Sequence, residues 1–359
     1  MSATPPKIFV ILTGVSGNLG DAVIRRRVLE WARGTGEIHA YVGRTTGGWV
    51  EQLGFRSDEQ IYNAKQRRRW LKTLLFGRGP RALIFDPGEV PLGPEHMKSE
   101  AMFAAISIIL RLRGAVVVRP PRAIAHLSPL TGAFHWLGCV VSNHVLWRNE
   151  KSISQMKVGK LVPDTAFHEP FVSGQPASER RNIVVSLRGK RDFPTHEWFD
   201  AISTFASENN LGIQVMSQVD EDEERSKQLG LRFGSAAANY LPWGDRTDIQ
   251  QELAVRALYE SAAFVISDRL HVLILSAIAG AQPIEVVANP NPKVREHFAT
   301  IGMDHVSMDV AGKSAHEIRA FLDAQRFRRA ELEPLLQRAQ ADLDAQILAV
   351  RRSITADRT

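Results

Sequence analysis

The sequence predicts an α/β fold of two Rossmann-like domains, and three observations carry that expectation. Short apolar runs alternate with amphipathic helical patterns along most of the 359 residues, as parallel βαβ units require. The alternation breaks at 167–181, where FHEPFVSGQPASERR gathers prolines, a glycine and polar residues as a linker does. Length, together with a hydrophobic content of 44%, suits two medium domains better than one.

In the first half, KIFVIL (7–12), IHAYV (38–42), ALIFD (82–86), GAVVV (114–118) and CVVSNHVLW (139–147) read as strands. Helical periodicity covers 20–33, 61–76 and 96–112. In the second half, NIVVSLR (182–188), GIQVMS (212–217), AAFVIS (262–267) and QPIEVV (282–287) read as strands, with helices near 195–208, 247–260 and 271–279. The segment 326–352, rich in Ala, Leu, Gln and Arg, reads as a long terminal helix. The expected division is therefore an N-terminal domain over 1–170, a C-terminal domain over 171–325, and a helix with tail over 326–359. Two halves so joined leave a cleft between them, and open α/β sheets bind ligands at the carboxyl ends of their strands.

Composition excludes several classes. The opening residues MSATPPK lack the plan of a secretory signal, and the longest apolar stretch, near 101–118, is cut by Arg111 and Arg113. A single cysteine, Cys139, forms no internal disulfide and fits a reducing cytoplasm. The formal charge of +6 is unevenly spread, with KQRRRWLKTLLFGRGPR at 65–81 its densest stretch. Two readings of that stretch stay open: a core-packed helix with a solvated basic face, or a helix laid apolar face down on an anionic membrane, peripheral at its inner surface. No zinc-finger spacing, RNP-type aromatic motif or basic heptad pattern points to nucleic acid.

Three stretches carry chemistry. GVSGNLGD (14–21) joins the first strand to the first helix, where glycines let backbone N–H groups approach an anion at a helix start. The spacing of Gly14, Gly17 and Gly20 is neither G-x-G-x-x-G nor G-x-x-x-x-G-K-[ST], so a tight turn with Asp21 as a cap accounts for it equally. VISDRLHVLILSAIAG (265–280) sets Asp268, Arg269 and His271 between a buried strand and an apolar helix, and SLRGKRDF (186–193) presents Arg188, Lys190 and Arg191 at the end of another strand. If those strands are neighbours in a parallel sheet, both sets share one anion site, with Arg269 as a planar clamp and His271 able to carry a proton near neutral pH.

Taken in order, GNLGDAVI, LWRNEKSISQMKVGK with VPDTAF, VVSLR, SDRLHVLILSAIAG with QPIEV, and NPKVREHF resemble the polysaccharide pyruvyl transferases over roughly residues 8–300. The resemblance implies a GT-B-like arrangement of the two Rossmann-like domains around an interdomain cleft. It further implies phosphoenolpyruvate as donor, a glycan or lipid-linked oligosaccharide as acceptor, a pyruvate ketal across two sugar hydroxyls as product, and neither cofactor nor metal. By the same match Arg188 and Arg269 hold the donor's anions, His271 is the general acid, and Lys293 neutralises phosphate or pairs with a local acid. Gly17, Asn18, Gly20, Asp21 and Asp268 are further binding candidates, touching acceptor, donor or only the turn. The stretch FDPGEVPLGPEHM (85–97) departs from the family's glycine-rich turn and puts Glu89, Glu95 and His96 in a loop. His126, His135 and Trp136 follow, with Trp136 read as core rather than as a platform for a sugar ring. Two rival functions remain: a nucleotide-sugar glycosyltransferase of the same architecture, and a non-catalytic scaffold on a membrane surface.

Overall fold

The computed structural model describes residues 5–171, 179–234 and 238–356, so the middle of the expected linker, 172–178, lies outside the described residues. The two ends of that segment are built into the protein. Phe167 is fully buried, and the buried Arg180 guanidinium donates to the carbonyls of Tyr259 at 3.1 Å and Ala262 at 2.9 Å. The chain forms two compact units, one of Met1–Ser16, Asp21–His168 and Gln340–Thr359, the other of Gly17–Gly20 and Glu169–Ala339.

The first unit holds strands β1 (Lys7–Ile11), β2 (Glu37–Gly43), β3 (Gln60–Asn63), β4 (Arg81–Ile84), β5 (Gly88–Leu92), β6 (Val116–Leu127), β7 (His144–Trp147) and β8 (Lys160–Leu161). Its helices are α1 (Leu19–Ala32), α2 (Gly47–Leu53), α3 (Arg67–Phe76), α4 (Met97–Leu112), α5 (Pro129–Val140) and α6 (Glu150–Met156). The strands run β3-β2-β1-β4-β6-β7-β8 with β5 paired to β6, and every pairing is parallel. Covered on both faces, β1 buries Ile8 and Val10 toward one core cluster and Phe9 toward another, as a central parallel strand does.

Two expectations fail here for physical reasons. CVVSNHVLW is not one strand: α5 runs through Val140 and β7 begins only at His144. A short apolar run has no period that separates strand from helix, whereas Pro129 at the first helical position was the start signal. The 61–76 segment opens as β3, turns at Asn63 through a capping box with Gln66, and becomes helical only at Arg67. In that helix Trp70 and Leu74 are buried, with the Trp70 indole N–H donating to the His39 carbonyl at 2.9 Å. The apolar face of α3 thus belongs to the core, and the basic face is solvated. The 85–97 loop contains β5, which pairs with β6.

The second unit holds β9 (Asn182–Ser186), β10 (Gly212–Met216), β11 (Ala238–Leu241), β12 (Ala262–Ser267), β13 (Gln282–Val287) and β14 (Ser307–Asp309). Helices α7 (His196–Glu208), α8 (Glu223–Phe233), α9 (Asp248–Ser261), α10 (Leu270–Ile278), α11 (Lys293–Ala299) and α12 (Ala315–Thr355) accompany them. The all-parallel order β11-β10-β9-β12-β13-β14 is that of a dinucleotide-binding sheet, and it reverses direction between β9 and β12. Starting eleven residues before 326, α12 is longer than its composition suggested. Its Ile318 and Leu322 join the core of the second unit, while Val350 and Ile354 join the core of the first.

Candidate functional site

The strands that carry SLRGKRDF and VISDRLH are neighbours. β9 and β12 pair with Ser186 opposite Ser267, so the residues after each emerge together where the strand order reverses. Asp268 fixes this junction. Fully buried at its carboxylate, it accepts the Arg188 backbone N–H at 2.9 Å through one oxygen and pairs with the Arg191 guanidinium at 2.7 Å through the other. Asp222, also buried, accepts the Gly189 N–H at 2.8 Å and binds the Arg269 side chain. Glu221 then bridges Arg269 at 3.1 Å and Lys190 at 3.0 Å.

The arginines are therefore not equivalent. Burial works against the charge of Arg269, but the hydrogen bonds and charges of Asp222 and Glu221 more than offset it and hold the guanidinium above its ordinary pKa. Arg191 is tied to Asp268 and donates to the carbonyls of Ala288 and Asn289, each at 3.0 Å. Arg188 keeps a third of its side chain exposed, and its Nε stands 3.8 Å from Asp268, beyond hydrogen-bond range. Of the three, Arg188 is the one that can turn to an incoming anion with least loss. Arg269 is also the N-cap of α10, which has no side-chain cap; a helix start of this kind presents N–H donors and a partial positive charge.

The N-terminal motif comes to the same place. Residues 17–20 count with the second unit: Gly17 O accepts the Asp220 N–H at 3.0 Å, Asn18 forms an isolated bridge with Val219, and Leu19 N donates to Gln218 O at 3.3 Å. Gly20 lies directly on His271, so close that a Cβ there would sit 2.5 Å from the histidine Cβ. Asp21 sits in the first turn of α1, paired with Arg25 at 3.4 Å. Gly14 serves packing, because a Cβ at that position would fall 2.1 Å from the Trp49 ring. Lys293 opens α11, which follows β13 at the same carboxyl edge of the sheet, and its N–H donates to Asn291 Oδ1 at 3.0 Å.

Glu221 and Asp222 in the cluster, and Glu285 beside it, escaped the sequence reading. Glu285 is fully buried on β13, beside β12, and one of its oxygens accepts the Ser307 hydroxyl at 2.5 Å. Burial, with the charge of Asp268 adding to it, pushes its carboxyl up to about 7. The available signal was the one charged residue in the strand QPIEVV. Beside the cluster, at the ends of β9, β13 and β14, is a cavity of about 270 Å³ walled by Phe193, Trp198, Val286 and Val310, with Arg191 and Arg225 among its lining residues.

The first-half candidates fall elsewhere. Glu95 and His96 form an exposed pair at 3.4 Å. His135 is buried against Glu100 at 2.8 Å, and burial lowers its pKa to about 4. His126 is exposed at the end of β6. Trp136, expected in the core, is 46% exposed on α5. Among the described residues no group of three or more His, Cys, Asp or Glu is arranged to hold a metal ion, and no helix is long and apolar enough to cross a membrane.

Comparison with known proteins agrees with the resemblance read in the sequence. Residues 141–291 match the family model of polysaccharide pyruvyl transferases, a stretch that contains Arg188, Asp222, Asp268, Arg269, His271 and Glu285. No curated protein matches the chain. Among solved structures, the glycotransferase of kitacinnamycin is 13% identical with a TM-score of 0.54, covering 97% of this chain and 99% of its own. A Listeria monocytogenes structure assigned as a UDP-N-acetylglucosamine 2-epimerase gives 0.55 at 10% identity, over 93% and 91%. LpCGTa in complex with UDP gives 0.52 at 10% identity, over 96% and 99%. Identities this low speak to fold, and the fold is the expected one: α/β, with two Rossmann-like domains as in GT-B glycosyltransferases.

Proposed function

We propose that this chain, matched over residues 141–291 to a family of transferases of polysaccharide synthesis, moves the pyruvyl group of phosphoenolpyruvate onto two hydroxyls of a glycan sugar. The observation that carries the reading is the convergence of Arg188, Arg269 and His271 at the reversal point of the second sheet, inside the matched stretch. Phosphoenolpyruvate brings a phosphate and a carboxylate. Arg188 and the uncapped start of α10 suit one of them, and Arg269, already braced by Asp222 and Glu221, suits the other.

In the proposed reaction His271, protonated, gives its proton to the methylene carbon of the donor, which becomes a methyl group and leaves an oxocarbenium-like carbon. A sugar hydroxyl adds to that carbon and loses its proton. Phosphate then departs, the second hydroxyl closes on the same carbon with loss of its own proton, and the ketal is complete. Gly20 against His271 leaves the imidazole little room to turn, which keeps it aimed. The acceptor is a glycan, free or lipid-linked, and the reaction needs no cofactor.

One observation favours a second reading, transfer from a nucleotide sugar: the 270 Å³ cavity beside the cluster has aromatic and apolar walls suited to a flat ring. Calorimetric titration with phosphoenolpyruvate, beside a uridine and a guanosine diphosphate sugar, separates the two. Saturable binding of phosphoenolpyruvate that weakens at least tenfold in Arg188→Ala is the expected result. Binding of a nucleotide sugar in its place overturns the proposal. Arg188 is the better variant than Arg269, because removing Arg269 strands the buried Asp222 and costs several kcal/mol of stability.

A further inference from the structure

The first unit carries an apolar surface that the reaction does not use. Along α5 the buried side is Thr131, Gly132, His135, Gly138 and Cys139. Its outward side shows Leu130 at 57%, Trp136 at 46%, Leu137 at 38% and Val140 at 47% exposure. These positions share one helical face, and the helix holds no Asp, Glu, Lys or Arg.

Two more helices extend the surface. α4 packs against α5 and ends on Leu112, 83% exposed, while α3 ends on Phe76, 69% exposed. The three helix ends are tied together at one corner. Arg113 donates to the Leu75 carbonyl and lies 5.7 Å over the Phe76 ring, and Arg111 donates to the Val141 carbonyl at 3.1 Å.

The exposed charges of the helices that form this surface have one sign. No Asp or Glu occurs between Glu59 and Asp86, nor between Glu100 and Glu150, and Glu100 itself is buried against His135. Arg67, Arg68, Arg69, Lys72 and Arg78 are exposed on and after α3.

We propose that this corner of the first unit docks on an anionic lipid bilayer, with Leu112, Phe76 and the outer face of α5 entering the headgroup layer and the basic residues of α3 resting on its phosphates. The charge pattern selects this occupant. A bilayer of anionic lipid supplies apolar depth and negative charge across one continuous surface, and exposed Trp with Arg and Lys around it is the composition that settles at such an interface. The face of α3 that holds Trp70 and Leu74, already in the core, takes no part; that helix contributes its exposed last residue, Phe76, and its charge.

Cosedimentation of the full chain with vesicles tests this. The wild type is expected to sediment with phosphatidylcholine vesicles containing phosphatidylglycerol, not with phosphatidylcholine alone, and to be released by salt. Leu112→Glu with Trp136→Glu should weaken binding tenfold or more, and Arg67→Gln with Arg68→Gln should reduce it and flatten its salt dependence. Both variants change exposed residues, and unchanged thermal melts confirm that they fold. Failure of the wild type to bind anionic vesicles overturns the proposal, as does wild-type binding by the Leu112→Glu, Trp136→Glu variant. A dimer in sedimentation equilibrium that this variant splits also overturns it, by giving the surface to a second copy of the chain.

Discussion

The two sheets reverse strand order at equivalent points, yet the two points are furnished differently. In the first, between β1 and β4, the turn after β1 is occupied by protein: the Trp49 indole sits against Gly14 and donates to the Leu12 carbonyl at 3.2 Å, with Arg25 lying over its ring and bonded to Thr13. Across from it Asp86 is neutralised by Arg122. In the second, between β9 and β12, the same topological position holds arginines braced by buried carboxylates, a histidine and an uncapped helix start. Topology supplies a crevice at each reversal. Whether it becomes a site depends on what the first turn after each strand puts there, an indole or a set of charges.

The comparison can be broken most directly at His271. On the proposed reaction, His271→Ala should lower kcat by about 10²–10⁴-fold with little change in thermal stability, as general-acid removal does; a rate within a few-fold of wild type refutes the assignment. Next in size is Glu285. Its carboxyl is raised to about 7 in the folded protein against an ordinary value near 4.5, so the folded state binds more protons between those values and loses stability as pH rises through them. Above pH 7 the penalty is on the order of 3 kcal/mol at 1.36 kcal/mol per unit. Glu285→Gln keeps the acceptor for Ser307 and removes the charge. Its urea midpoint should therefore rise at pH 8 and converge on wild type toward pH 4.5, and an equal gain at both pH values argues against the raised carboxyl.

The smallest effect sharpens the contrast within one turn. Gly20→Ala pushes a methyl group onto His271 and should cost about 10²-fold in kcat by misplacing the imidazole. Gly14→Ala pushes one onto Trp49 and should cost about 1–3 kcal/mol of stability through overpacking, leaving activity per folded molecule unchanged. Melting curves and initial rates on the two variants separate them, and the same pattern in both would erase the distinction between the two reversal points.

Much of this was readable from residues. Strands such as QPIEVV and AAFVIS were bounded to the residue, because β-branched runs flanked by glycine or polar turns have few other conformations open to them. The pairing of β9 with β12, on which the site depends, was legible only as a condition, since nothing local in SLRGKRDF or VISDRLH specifies a partner 80 residues away. Trp136 was misread for a related reason: an apolar residue on a helix is placed inside or outside by which face the neighbours cover, and α5 is unassigned in the sequence except for its last two residues, which fall in a presumed strand. Gly14, Gly17 and Gly20 read as room for an anion or as a tight turn, and the groups that lie against them are Trp49, Asp220 and His271. The glycines could not announce that two of those groups, Trp49 and His271, belong to different units.

The long helix α12 has a consequence for how the protein is made. Ile318 and Leu322 complete one core and Val350 and Ile354 complete the other. A ribosome that has finished residues 5–168 has therefore not yet made the side chains that close the sheet those residues build. The unit made earlier has to wait for a helix made later, its core open through the synthesis of about as many residues again, and a chain stalled or cleaved before residue 340 leaves it with that flank exposed to chaperones and proteases.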